Sequence, residues 1–249
     1  MAISTTSVIH YTKEFSILKK ILKEGGFKYK YCVEKVNTRG KKNYRFAIAM
    51  VSFCDIPLSE YKKHFYKKTK KNTLGYYGDY GIGLNYKWVS SQGLNPVIYI
   101  ESNSVLSTSV RHSAERLLSN LSDDIINDEN LYPFYTKNFK GLLERDNIKV
   151  DGYRFYDERE WRFVPTAKLL NNKPNILDAA TYENNKDYFN EAIERQRLQF
   201  SVEDISYIII KEEAELEELS KHLEETYPKK DFLRLMPKII TSKQIIDDF

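Results

Sequence analysis

The apolar segments of this chain are short, and their length restricts the folds that the chain can adopt. Apolar runs such as residues 47–51 and 207–210 contain only five and four residues. Runs of this size are typical of buried strands and fall far below the ~20 residues that cross a bilayer. Between such runs, apolar residues within segment 14–24 repeat at helical spacing and end before Gly25. The sequence therefore predicts an α+β fold, with helices packed on mixed or antiparallel sheets.

The same patterns place further elements along the chain. Strands are predicted at residues 7–12, 47–53, 96–101, 205–210 and 232–240, and a long strand or hairpin arm at residues 152–165. Helices are predicted at residues 14–24, 102–127 and 213–225, with a short last helix capped by Thr241 or Ser242. Because no repeat, low-complexity tract or Pro/Gly linker interrupts the chain, residues 1–249 are predicted to form a single domain.

Composition excludes several classes of protein. Aromatic residues make up 14% of the chain, which supplies a hydrophobic core and argues against disorder as the main state. Only two cysteines occur, Cys32 and Cys54, so neither a disulfide framework nor a cysteine-rich zinc site is expected. The first fifteen residues show no basic start followed by an apolar stretch. We therefore expect a cytoplasmic protein without membrane partners.

Basic residues are concentrated in the first part of the chain. Residues 1–100 carry 18 Lys and Arg against 6 Asp and Glu, whereas the remainder carries 21 against 29. One dense run interleaves aromatic residues with Lys62, Lys63, His64, Lys67, Lys68, Lys70 and Lys71. Such a patch attracts phosphates and predicts nucleic-acid binding that weakens with salt. The alternative is a solvated surface that balances the acidic part of the chain.

Glu158 and Glu160 lie two residues apart within the predicted strand 152–165. Alternate side chains of a strand share a face, so both carboxylates are expected on one side together with Arg162. One interpretation is a surface ladder of ion pairs. The other is a carboxylate pair that polarises a substrate hydroxyl or stabilises a developing cation. On either interpretation the repulsion between the two glutamates predicts that Glu160→Gln folds normally.

Metal and nucleophile chemistry lack sequence support. No H-x-x-x-H or H-E-x-x-H spacing occurs, so no metal site is expected. No G-x-S-x-G motif occurs, and neither cysteine has a histidine in a recognisable arrangement. His10 lies in the first predicted strand, where a structural role and a functional one both remain open.

Five motifs carry a resemblance to a known family. They are His10 in its strand, F-C-D-I-P from Phe53, Y-G-D-Y-G-I-G-L from Tyr77, N-P-V-I-Y from Asn95 and E-R-E-W-R-F from Glu158. With these motifs the chain resembles the AbiGi family of abortive phage-resistance proteins over residues 5–165, leaving residues 166–249 as an α+β extension. The resemblance implies a role in phage defence, as an antitoxin partner in a two-gene system.

A more distant resemblance bears on chemistry. The opening S-V-I-H-Y-T, followed by a helix that ends in two glycines, resembles the start of DNA-modifying ADP-ribosyltransferase toxins. That resemblance implies an ADP-ribosyltransferase-like core with NAD as substrate and no metal. It implies that His10 and Thr12 contact NAD, that Glu160 is the catalytic carboxylate, and that Glu158 orients or deprotonates the acceptor. The strands that carry His10 and Glu160 are then expected to lie in one sheet or across one cleft. It also implies NAD contacts from Arg45, at the phosphate, and from Tyr77 or Tyr80, stacked on nicotinamide.

Three functional hypotheses follow from the sequence. The first is an NAD-dependent ADP-ribosyltransferase acting in phage defence on a nucleic-acid or protein acceptor. The second is a non-catalytic antitoxin or sensor that binds a cognate toxin or antitoxin partner. The third is a nucleic-acid-binding defence component without NAD chemistry, which rests on the lysine run.

Overall fold

In a computed structural model of the chain, the short apolar runs and the segments with helical spacing both form regular secondary structure. The structure describes residues 5–36, 44–60, 66–68, 73–75, 77–119, 131–145 and 148–248. The chain divides into two compact units. The first unit comprises Met1–Phe27, Phe53–Gly93 and Leu198–Phe249, and the second comprises Lys28–Ser52 and Leu94–Arg197. Each unit is therefore assembled from stretches that are far apart in sequence.

The first unit is built on a sheet of apolar strands. Strand β1 (Ser7–Thr12) pairs antiparallel with β7 (Tyr80–Asn85), and β7 pairs antiparallel with β16 (Ile205–Ile210). Strand β17 (Ile239–Thr241) runs parallel to β16 at one side of the sheet. On the other side, Ile9 of β1 pairs with Cys54.

The first helix of this unit buries one apolar stripe. In α1 (Phe15–Glu24) the buried residues are Leu18, Ile21 and Leu22, and Gly25 ends the helix at a φ of 59°. This left-handed conformation suits glycine, and the backbone N–H of Gly25 caps carbonyl groups of the last turn. The other helices of the unit are α2 (Tyr86–Gln92), α6 (Leu216–Thr226), α7 (Lys229–Leu235) and α8 (Ser242–Asp248).

The second unit centres on the long strand β4 (Tyr44–Cys54), which leaves the unit after Ser52. It pairs antiparallel with β3 (Lys30–Val36) and with β14 (Ile176–Asp178). Its later part lies beside β13 (Glu160–Phe163), which pairs antiparallel with β8 (Asn95–Pro96). The arrangement brings the strand that carries Glu160 against the centre of the unit.

Smaller elements complete the two units. In the second unit β9 (Ile98–Ile100) pairs in parallel with β10 (Thr136–Asn138), and β11 (Lys140–Arg145) forms an antiparallel pair with β12 (Ile148–Arg154). Its helices are α3 (Val105–Ser119), α4 (Ala179–Asn184) and α5 (Lys186–Ala192). Two further short pairs are β2 (Gly26–Lys28) with β15 (Arg197–Gln199), and β5 (Tyr66–Lys68) with β6 (Thr73–Gly75). Together the elements confirm the predicted mixture of sheets and helices.

Two predicted strands are found only in part. The segment 152–165 is interrupted by a 3₁₀ turn at Phe155–Glu158, after which Arg159 has a φ of 44°. Of the segment 232–240, only the end is strand, because Phe232 belongs to α7 and a 3₁₀ turn follows at Met236–Lys238. Over the described part of the chain, none of the helices combines the length and the apolarity needed to cross a bilayer.

Candidate functional site

Glu160 lies at the centre of a buried polar cluster in the second unit. Its side chain is only 6% exposed, yet four donors reach it. Oε1 accepts hydrogen bonds from Ser52 Oγ at 3.0 Å and from Arg162 Nε at 2.6 Å. Oε2 accepts from Lys137 Nζ at 2.9 Å and from Arg162 Nη2 at 3.2 Å. A carboxylate offers about four lone-pair positions, so every acceptor position of Glu160 is filled.

Arg162 is the largest fully buried side chain among the described residues. Besides Glu160, its guanidinium pairs with Glu34 Oε1 at 3.0 Å and donates to the carbonyl oxygen of Phe134 at 3.1 Å. The guanidinium of Arg162 meets the Glu160 carboxylate through two bonds, and such two-pronged contacts are strong and fix the orientation of both side chains. The Glu160 backbone is held as well, since its N–H donates to Tyr99 Oη at 2.9 Å.

Lys137 joins the two glutamates that the sequence analysis singled out. Its Nζ donates to Glu158 Oε2 and to Glu160 Oε2, both at 2.9 Å. Strand β10 supplies Lys137, and the 3₁₀ turn at Phe155–Glu158 brings Glu158 back beside it. The two carboxylates therefore come together by a turn and a shared lysine rather than by alternation along one strand.

The charges of the cluster hold one another ionised. Burial alone raises the pKa of the Glu160 carboxyl, but the charges and hydrogen bonds of Arg162 and Lys137 outweigh it and hold that pKa well below 4.5. Burial also lowers the pKa of Lys137, and the charges of Glu158 and Glu160 reverse this and hold it well above 10.5. Around neutral pH Glu160 and Lys137 are therefore both charged.

The burial of this cluster rules out the surface ion-pair ladder. Glu158 and Glu160 are 2% and 6% exposed, and Arg162 is fully buried. A surface pair contributes little to stability, whereas removal of one member of a buried pair leaves an uncompensated charge. The structure thus reverses the expectation that Glu160→Gln folds normally.

The residues that the second resemblance implies as NAD contacts lie mainly in the first unit. His10 and Thr12 occupy β1, where the His10 ring packs 4.9 Å from the Phe27 ring and 5.7 Å from the Phe53 ring. Thr12 is buried and pairs with Tyr80 across the sheet. These contacts show an aromatic environment for His10, and the shared cleft with Glu160 stays a prediction.

Tyr77 and Tyr80 also belong to the first unit. The Tyr80 ring stacks on Phe15, with 5.5 Å between centroids, and its hydroxyl donates to Glu215 Oε1 at 2.7 Å. The Tyr77 ring lies 6.4 Å from that of Tyr11. Burial, followed by the hydrogen bond to Glu215, raises the pKa of Tyr80 well above 10. Tyr80 therefore already has a stacking partner and a hydrogen-bond acceptor within the protein.

Arg45 and the lysine run occupy separate places in the chain. Arg45 lies in β4 and forms a two-pronged ion pair with Glu183, both side chains being partly exposed. Lys67 and Lys68 lie in strand β5. The other four lysines of the run, Lys62, Lys63, Lys70 and Lys71, lie outside the described residues. Phosphate binding by Arg45 and nucleic-acid binding by the run both stay predictions.

Four members of the cluster were not identified from the sequence: Glu34, Ser52, Tyr99 and Lys137. Each lies on a different strand, and none has a local pattern that distinguishes it from an ordinary surface residue. The described residues hold no group of three or more His, Cys, Asp or Glu arranged for a metal ion. The contacts within the cluster are charged hydrogen bonds and ion pairs.

Comparison with known proteins gives the family. The model of one family, described as "Putative abortive phage resistance protein AbiGi, antitoxin", matches residues 26–211. The chain belongs to the AbiGi family. An AbiGi relative, "Abortive phage resistance protein AbiGi" from Lactococcus lactis subsp. cremoris, is 28% identical over 236 residues, which cover 87% of this chain and 91% of the relative.

The AbiGi match confirms the first resemblance and places the chain among abortive phage-resistance proteins. It extends past residue 165, where the sequence resemblance ended, and includes the whole buried cluster. No solved structure matches the chain. Neither comparison reported above is with an ADP-ribosyltransferase, so the second resemblance gains no support.

Proposed function

We propose that this AbiGi chain is the antitoxin of a two-component phage-defence system and acts by binding a partner toxin protein. The observation that carries the proposal is the match of residues 26–211 to a family described as an antitoxin. A binding protein needs a stable, rigid scaffold for its partner, and it needs no free catalytic group. The second unit meets these requirements, since the charged groups of its buried cluster are paired with one another.

The state of Glu160 supports binding over catalysis. A carboxylate that stabilises a developing cation on ribose must accept hydrogen bonds from the ribose hydroxyls. Glu160 has its four acceptor positions taken by Ser52, Lys137 and Arg162. These contacts support a structural role for Glu160 in the cluster over the catalytic role that the ADP-ribosyltransferase resemblance implies.

The test is direct binding between this chain and the protein encoded beside it. The neighbouring open reading frame is co-expressed with a tagged form of this chain, and the complex is isolated and measured by calorimetry. Antitoxin function predicts a stable complex of fixed stoichiometry, such as one to one. If neither neighbouring gene product binds, and neither is toxic when expressed alone, the antitoxin proposal fails.

One observation supports a second proposal. Glu158 Oε1 is buried and has no hydrogen-bond partner among the described residues, so this oxygen is able to accept a proton or a hydrogen bond from an acceptor substrate. We propose ADP-ribosyl transfer from NAD as the alternative function, with Glu158 rather than Glu160 as the working carboxylate. Release of nicotinamide from NAD by the purified chain, lost in Glu158→Gln, would favour it over the antitoxin function.

A further inference from the structure

The buried cluster contains more negative than positive charge. Three carboxylates, those of Glu34, Glu158 and Glu160, face two cations, Lys137 and Arg162. Glu160 uses both of its oxygens, and Glu34 pairs with Arg162. Glu158 uses only Oε2, on Lys137, while Oε1 lacks a hydrogen-bond partner in the part of the chain that the structure describes. The cluster therefore lacks one hydrogen-bond donor, at Glu158 Oε1.

An orphaned carboxylate oxygen at this depth is costly. Glu158 is 2% exposed, and a buried charged group without its hydrogen bonds carries the full penalty of lost hydration. Buried carboxylates in proteins are normally paired. The arrangement suits a site that is completed by a cation from another molecule.

The cluster lies close to the surface on the side of Lys137. The Lys137 side chain is 13% exposed, and its Nζ lies 5.1 Å from the centre of the Phe155 ring. Next to Phe155, Tyr156 is 53% exposed, and its ring contacts the rings of Tyr99 and Phe139 at 5.4 and 5.6 Å. Tyr156 is exposed and lies two residues from the buried Glu158 in the chain. An exposed aromatic ring near a buried carboxylate favours a flat, delocalised cation, because such a cation stacks and donates at once.

We propose that Glu158 and Tyr156 form a socket for an arginine side chain of the partner protein. The guanidinium would donate to Glu158 Oε1 and pack on the exposed Tyr156 ring, supplying the missing positive charge of the cluster. Arginine and aromatic residues dominate the energetics of protein interfaces, especially where a buried charge is paired. The inference rests on the proposed antitoxin function and adds the chemical class of the toxin group that is bound.

The first experiment probes the socket without a toxin. Acetyl-arginine-amide and its uncharged analogue acetyl-citrulline-amide are titrated into the full-length labelled chain, and backbone amide shifts are followed by NMR. The socket predicts saturable shifts at residues 155–158 with the arginine compound alone, and their loss in Glu158→Gln. Equal shifts with both compounds, no shifts at either, or shifts that persist in Glu158→Gln would overturn the inference. Displacement of the arginine compound by NAD would assign Glu158 to the second proposal instead.

The second experiment uses the toxin encoded beside this chain and measures its affinity for five proteins. They are the wild type, Glu158→Gln, Tyr156→Ala and two matched controls at exposed positions of the same unit, Glu191→Gln and Tyr188→Ala. Loss of a charged hydrogen bond at Glu158 should weaken binding about 10- to 100-fold. Loss of the Tyr156 ring should weaken it about 2- to 5-fold. The controls should bind like the wild type.

Folding is separated from binding by melting each variant. Lys137 keeps Glu160 as a partner in Glu158→Gln, and Tyr156 is exposed, so both variants should remain folded. If the wild type binds the toxin and both socket variants bind equally well, the socket is refuted and the antitoxin function stands. If the wild type itself does not bind, the antitoxin function is refuted, and the arginine titration alone decides whether the socket exists.

Discussion

Replacing Glu160 by glutamine tests whether the buried cluster holds the second unit together. Glutamine keeps the shape of the side chain, but one of its two polar ends becomes an NH₂ donor. In one orientation this donor faces Ser52 Oγ and Arg162 Nε, and in the other it faces Lys137 Nζ and Arg162 Nη2. Either way donors face donors, and the fully buried Arg162 retains only Glu34 as a carboxylate partner.

The magnitude follows from the burial of Arg162. Removing one partner of a buried ion pair costs about 3–5 kcal/mol. Here Arg162 keeps Glu34 and Lys137 keeps Glu158, so the cost arises because buried donors lose their acceptors on Glu160. For a chain of this size about 1 kcal/mol corresponds to about 2–4 °C in melting temperature, so Glu160→Gln should melt about 6–20 °C below the wild type. The matched control is Glu183→Gln, which breaks an exposed ion pair with Arg45 and should cost under about 1 kcal/mol.

The dependence on pH gives a second check. Since the folded-state pKa of Glu160 is held well below 4.5, the stabilisation from its ionised form is fully present above that pH and is lost as the pH falls toward the folded-state pKa. Glutamine does not titrate, so the difference in free energy of unfolding between wild type and variant should narrow between about pH 5 and pH 3. Denaturant unfolding of both proteins across this range measures it. A difference as small as that of the control, or one that does not change with pH, would refute the buried-cluster argument.

Three further predictions extend to other parts of the chain. Gly78→Ala should lower the free energy of unfolding by at least about 2 kcal/mol, because Gly78 has a φ of 96° and an added Cβ would lie 2.2 Å from the Thr12 carbonyl oxygen; a normal melting temperature would contradict this. Millimolar NAD should leave the melting temperature unchanged and release no nicotinamide, and measured release would favour the second proposed function. Replacing Lys67, Lys68, Lys70 and Lys71 by glutamate should weaken any nucleic-acid binding and flatten its salt dependence, whereas an unchanged salt slope would show that the run only solubilises the chain.

Elements defined by local signals were predicted well from the sequence. Strand β1 has the predicted bounds, and α1 begins within one residue of its predicted start and ends at Glu24, with Gly25 as its cap, as expected. Strand β16 is also found at its predicted position. In each case the deciding information lies within a dozen residues: an apolar run, a helical repeat or a glycine that adopts a positive φ.

Errors arose where a turn or a longer-range contact decided the structure. Nothing in the alternation of residues 152–165 marks the 3₁₀ turn, which is completed by Arg159 in the left-handed region. In residues 229–235 the apolar positions suit a helix as well as a strand, and Pro228 precedes the helix that forms.

The buried cluster itself depends on tertiary structure. Glu158 and Glu160 were identified as a pair, but Lys137 precedes them by more than twenty residues, and Glu34 and Ser52 lie in an earlier stretch of the chain. Spacing along the sequence cannot show which basic residue will neutralise a carboxylate after folding. For the same reason, the two units, each assembled from separate stretches, leave no compositional boundary in the sequence.

The antitoxin function is tested most directly by growth. The gene beside this chain is expressed in bacteria alone, together with the wild-type chain, and together with a frameshifted control of the same transcript length. Antitoxin function predicts growth arrest with the neighbouring gene alone or with the frameshifted control, and recovery with the wild-type protein. Arrest that persists in the presence of the folded wild-type chain, or arrest caused by this chain when expressed by itself, would contradict it.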